Sequence, residues 1–147
     1  MNFWEAIMLA AGGLFAGGAA TFAWSRAPIW RRMTPPQFIP DFEQTIDRTD
    51  KVQPALLVAA IVGTIGVVVT RDDVGRIFAI AAAVGFILSL VGSLAYLVPL
   101  QRKIIRTPDD QGDAIQEMRL SWFQGNLGRS VVATVAFLCT VAAATVR

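Results

Sequence analysis

Charged side chains are missing from four stretches of the chain, residues 6–25, 52–70, 77–101 and 130–146, which run to 20, 19, 25 and 17 residues. A helix rises about 1.5 Å per residue and the hydrocarbon core of a bilayer is about 30 Å thick, so roughly 20 residues cross it. Each stretch reaches that length, the last narrowly. None alternates polar and apolar residues with the period of two that a strand requires, in a barrel or elsewhere. The pattern predicts an all-α fold, an integral membrane four-helix bundle. It is expected to form one transmembrane domain over 1–147, with helices at approximately 5–25, 52–70, 75–101 and 113–146.

The connections are unequal. Arg71, Asp72 and Asp73 form a tight turn between the second and third helices. Residues 26–51 begin with prolines (Pro28, Pro35, Pro36, Pro40) and then place Phe42 and Ile46 one turn apart, with Asp41, Glu43, Asp47 and Asp50 around them. That spacing predicts a short interfacial amphipathic helix between helices 1 and 2. Thr107, Pro108, Asp109 and Asp110 supply a break and an N-cap signal, and the pattern from Asp113 is helical into the fourth stretch. Trp4 and Trp24 lie 20 residues apart, as two interfacial indoles on one helix would. The first stretch lacks a basic leader region, with Glu5 its early side-chain charge, so a retained helix is expected rather than a secretory signal.

Helices in lipid pack through small residues that permit close approach. Gly12, Gly13, Gly17 and Gly18 crowd the first helix, Gly63 and Gly66 the second, and Gly85, Ser89, Gly92 and Ser93 the third. Ala133, Ala136 and Ala142 to Ala144 do the same for the fourth. The same spacing serves helices that pair between chains, so a partner membrane subunit or a homo-oligomer stays open beside packing within one chain.

Composition agrees with a lipid environment. The chain is 54% hydrophobic and 16% charged, against about a quarter charged in an ordinary soluble domain. A net charge of +2 is too small to point to nucleic acid. Its placement is informative. Arg26, Arg31, Arg32, Arg48 and Lys51 fall in 26–51, and Arg102, Lys103, Arg106, Arg119 and Arg129 in 102–129, against Arg71, Arg76 and Arg147 on the other side. The excess predicts a multi-pass cell-membrane protein with connections 26–51 and 102–129 in the cytoplasm and both termini outside.

Candidate chemistry is narrow. The chain has no histidine, and its one cysteine, Cys139, stands alone in an apolar run. Haem, copper, non-haem iron and structural zinc draw on His or clustered Cys, so no protein-ligated metal is expected. A Ser-His-Asp or Cys-His centre is excluded. One constellation remains. Arg119, Trp122, Asn126 and Arg129 follow one another at steps of three, four and three, which puts them on one helix stripe. At the same level the third helix is expected to end at Val98-Pro99-Leu100-Gln101-Arg102, so Gln101 and Arg102 would meet the stripe near the base of the bundle. Two readings stand here. Arg129 snorkels to lipid phosphate while Trp122 anchors at the interface and Asn126 caps a backbone. Alternatively these residues and Gln101 and Arg102 line a pocket open to the cytoplasm.

The chain resembles the anthrone oxygenase-like family of small four-helix membrane proteins. The likeness rests on GGLFAGGAATFAW in the first helix, PPQFIPDFEQTIDRTDKVQPAL in the first connection, VPLQRKI at the end of the third helix and WFQGNLGR entering the fourth. Where the family's element after Pro99 offers Asn, this chain has Gln101. The resemblance implies an oxygenase that needs neither metal nor flavin and acts on an aromatic or quinone-like small molecule, as fungal members do on anthrones. Such chemistry needs a base and a cationic or hydrogen-bonding group for the resulting anion. Arg129, Asn126 and Arg119 would hold the anion and Trp122 would stack on a flat ring. The base would be Glu117, Asp113, Asp41 or Glu43. The alternative is a non-catalytic accessory subunit or small-molecule carrier whose stripe binds a partner or lipid.

Overall fold

A computed structural model describes residues 2–146; Arg147 of the charge count lies outside them. Among the described residues all regular structure is helical: α1 (Phe3–Thr21), a π turn (Phe22–Arg26), α2 (Ala27–Trp30), α3 (Pro35–Thr49), α4 (Gln53–Thr70), α5 (Gly75–Gly92), a second π turn (Ser93–Leu97), α6 (Val98–Arg106) and α7 (Gly112–Thr145). These elements join into four rods, Phe3–Trp30, Pro35–Thr70, Gly75–Arg106 and Gly112–Thr145, each long and apolar enough to cross a membrane. We call them spans one to four. α1 packs on α4 and α7, and α5 on the same two helices, which closes a four-helix bundle in sequence order.

Spans one and three are longer than the apolar stretches predict, for two reasons. Asn2 starts α1 early: its side chain accepts from the Glu5 N–H at 2.9 Å, while the Asn2 N–H donates to the Glu5 carboxylate at 2.8 Å. At the other ends, prolines do not stop the helices. Ala27 N–H bonds the Phe22 carbonyl five residues back, and Val98 N–H bonds that of Ser93. Pro28 and Pro99 each follow one residue later, so the widened turn ahead of the ring absorbs the missing donor. The third helix therefore runs on to Arg106 rather than ending at Gln101.

The amphipathic segment also differs from its expected form. α3 begins at Pro35, carries Pro40 inside it, and is opened by Thr34, whose N–H donates to Gln37 Oε1 at 3.1 Å. Its apolar face packs on protein. Phe38, Ile39, Phe42 and Ile46 join Trp30, Ile104, Ile115, Trp122 and Phe123 in an aromatic layer that closes the basic end of the bundle. The N-cap of α7 is Gln111, without a side-chain bond, and not one of the preceding aspartates.

Below that layer the core is built of small residues. Ala11, Ala16, Ala60, Ala82, Ala133 and Ala136 surround Phe15 and Phe86. Gly63 shows why: a Cβ there would stand 2.6 Å from the Met8 backbone nitrogen, so only glycine lets α1 and α4 cross at this distance. Trp24 is 81% exposed, as an interfacial indole should be, whereas the Trp4 ring lies over Gly66 and packs span one on span two.

Candidate functional site

The stripe on α7 faces inward, and its members do different things. Arg119 donates to the carbonyls of Trp30 and Met33 at 2.8 and 2.9 Å and to Gln116 Oε1, with its guanidinium 5.2 Å over the Phe38 ring. It satisfies carbonyls left over where span one ends. Trp122 is 1% exposed and enclosed by the rings of Phe22, Trp30, Phe42 and Phe123 at centroid distances of 5.1 to 6.4 Å. No face of its indole is free for a further ring. Arg102 is exposed and lines a basic surface cleft with Lys103 and Arg106.

Asn126, Arg129 and Gln101 converge elsewhere. Arg129 Nη2 donates to Asn126 Oδ1 at 2.8 Å, and Nη1 reaches the Ser93 hydroxyl at 3.5 Å; the buried Nε has no partner. No carboxylate lies within ion-pair distance of this guanidinium among the described residues. Ser93 opens the second π turn, so the irregular backbone of span three meets the Arg129 guanidinium of span four at this point. The Ser130 hydroxyl, next along α7, lies 2.9 Å from the Ala19 carbonyl and fixes the helix against span one.

Two cavities meet at Arg129. One, about 70 Å³, lies among the four spans and is lined by Asp50, Gln53, Ser93, Leu97, Gln101 and Arg129. The other, about 180 Å³, is a groove between spans three and four lined by Ser89, Gly92, Tyr96, Leu97, Gly125 and Arg129. Arg129 and the buried Leu97 belong to both walls. Gln53 reaches the first cavity across Gly18, where a Cβ would stand 1.9 Å from its amide nitrogen, and its Oε1 is buried without a partner.

A family model described as anthrone oxygenase matches residues 42–139, two thirds of the chain. The chain belongs to the anthrone oxygenase family. No curated protein and no solved structure matches it. The matched stretch holds Asp50, Gln53, Ser93, Gln101 and Arg129, the polar lining of the smaller cavity, and Asn126, which bonds Arg129.

None of the four carboxylates expected to serve as a base faces either cavity. Asp41 accepts from Trp30 Nε1 at 2.6 Å and pairs with Arg26 at 3.6 Å. Glu43, Asp113 and Glu117 are exposed away from it. The carboxylate that does line the cavity is Asp50, in the turn before α4 and exposed at its mouth. Asp50, Gln53 and Leu57 follow at helical spacing, and that was the signal available in the sequence: an acid one turn ahead of an amide that lies inside an apolar run.

Proposed function

We propose that this chain oxidises a flat, lipophilic, enolisable aromatic ketone of the anthrone class with O₂, holding the substrate's oxyanion on Arg129. The observation that carries the reading is Arg129 itself: a guanidinium at membrane depth, incompletely hydrogen-bonded, at the junction of an apolar groove and a polar cavity. An intramembrane cation without a carboxylate is costly and marks a place where charge is needed for function. In the reaction one O₂ is consumed and the methylene carbon loses both hydrogens. One oxygen atom becomes the new carbonyl and the other leaves as water. Removing a proton from the enol form makes the ring electron-rich enough to reduce O₂, and Arg129 stabilises that anion. Asn126 orients the guanidinium through its 2.8 Å bond.

The groove between spans three and four offers the entrance for such a substrate, from the bilayer side. Gly92 has no atom in reach of a Cβ, and the half-exposed Tyr96 ring lies over Gly125. Drug-sized ligands fill about 300–1,000 Å³, more than either cavity provides, so Tyr96 must swing off Gly125 to admit three fused rings. The reading invokes no metal, because the chain has no His and no three metal-binding side chains converge among the described residues. The purified protein in lipid nanodiscs should convert an anthrone to its anthraquinone with equal O₂ uptake, and turnover should survive chelation. Saturable binding without O₂ uptake would establish the carrier reading instead.

We also propose that the basic end of the bundle faces the cytoplasm. In a Cys139→Ser background, cysteines at Thr34 and Gln111 should resist an impermeant thiol reagent in intact cells while one at Asp72 reacts. The reverse pattern would invert the orientation.

A further inference from the structure

The site just described has an anion holder and an apolar entrance, and the smaller cavity behind Arg129 is still without a role. Its lining is unlike that of a packing defect. Beside Leu97 it presents the Asp50 carboxylate, the unpartnered Gln53 Oε1, the buried Gln101 amide, the Ser93 hydroxyl and the unpartnered Arg129 Nε. Water occupies about 30 Å³ in the liquid and stays in a cavity where it finds two to four polar partners. About 70 Å³ with this lining has room and polar partners for water. Among the described residues, Asp50 is the only carboxylate lining either of the two cavities that meet at Arg129. No hydrogen bond or ion pair among the described residues engages its side chain, whereas Asp41 is tied to Trp30 and Arg26, and Asp47 to Lys51 at 2.8 Å. The charges that act on it stand on three neighbouring elements: Arg129 on α7, Arg102 on α6 and Asp47 on α3.

We propose that Asp50 accepts the proton removed from the substrate, through the water of this cavity, so that the proton leaves on the side of Arg129 opposite to the groove. The inference rests on the oxygenase reading above. The substrate hydroxyl, in its enol form, gives its proton to a cavity water, and that water gives one of its own to the Asp50 carboxylate. The substrate is left as an oxyanion against Arg129, and Asp50 is left neutral. No charge is created at the site beyond the one Arg129 balances. Relay through one water is within the reach of a general base. Asp50 is open to solvent on its outer face, so it returns the proton to water there before the next turnover. The electron pair left on the substrate is the one O₂ then withdraws. Apolar substrate and proton therefore use separate routes that meet only at Arg129 and Leu97.

The test uses the whole chain in nanodiscs with an anthrone as probe. Asp50→Asn should lower kcat by about 10²-fold near neutral pH, the lower end of what a general base contributes, with little change in KM or Tm. The wild type should show an acid limb in its pH–rate profile. In Asp50→Asn that limb should vanish and the rate should climb with pH as the substrate ionises unaided. Asp50→Glu should keep most activity, and added formate should restore Asp50→Gly. An Asp50→Asn enzyme with the wild-type rate and an intact acid limb overturns the proposal. If Arg129→Ala is meanwhile inactive, only the role of Asp50 falls. If both variants turn over like the wild type, the reading of Arg129 falls as well.

Discussion

Arg71 and Arg129 are both guanidinium groups drawn in from water, one toward each end of the bundle, and they are satisfied in opposite ways. Arg71, in the turn between spans two and three, meets two carboxylates: Asp73 at 2.7 Å from Nη2 and Glu5 at 3.1 Å from Nη1. The carbonyls of Ala143 and Val146 take further N–H groups. One side chain thus joins span one, the turn and the end of span four, and geometry of that kind is what makes a withdrawn ion pair worthwhile. Arg129 has an amide, a hydroxyl at 3.5 Å and an idle Nε, with cavities on two sides. The first cation is finished within the protein. The second is left for something else to complete.

Substitution separates the two. Arg129→Ala should lower anthrone turnover by about 10²–10³-fold, as loss of an oxyanion-stabilising donor does. Its Tm should hold or rise, because an incompletely paired charge leaves the interior. A fall in Tm together with retained turnover would make Arg129 the structural residue of the pair. Arg71→Ala should do the reverse, lowering Tm by roughly 5 °C or more with kcat retained. The Arg71 hydrogen bond holds the Asp73 carboxyl below its ordinary 3.8. A depressed folded-state value means that this contribution is complete above about pH 4 and is lost as pH falls further. As pH is lowered from 5, the gap in Tm between wild type and Arg71→Ala should therefore narrow. A constant gap would show that the bond to Asp73 is not what Arg71 contributes.

The contrast between the two arginines was half legible in the sequence. The charge-free stretches gave four spans, and the three-four-three spacing put Trp122 and Asn126 on the inward face of α7. Span ends were harder to read. Pro28 and Pro99 look like terminators, and only the five-residue hydrogen bonds of Ala27 and Val98 let the helices continue past them. Arg71 read as a turn charge because its partners are Glu5, far off in sequence, and main-chain carbonyls, which carry no residue signature. Asp50 was hidden among Asp41, Glu43 and Asp47, all members of one polar face in the sequence. Its difference from them exists only once span two stands beside Arg129.

The smallest effect tests the part of the stripe that the structure sets apart from Arg129. Trp122 lies on the same face and was the expected stacking surface for a flat substrate, yet four rings enclose it. Its indole Nε1 is buried and unpartnered, so the N–H is a cost rather than a benefit to the fold, about 1–3 kcal/mol for a group of this kind. Trp122→Phe deletes that N–H and keeps an aromatic ring, at the expense of some lost volume. The two terms oppose each other, so Tm should move by only a few degrees. Trp30→Phe is the matched control. Trp30 Nε1 donates to the Asp41 carboxylate at 2.6 Å, and deleting that donor strands a partly buried acceptor. Trp30→Phe should therefore be the less stable of the two, while both leave anthrone turnover within about threefold of wild type, a rate change of under about 1 kcal/mol. A tenfold or greater loss of kcat/KM in Trp122→Phe, with Tm held, would move the substrate from the groove beside Arg129 into the aromatic layer and would undo the division drawn between the two ends of the stripe.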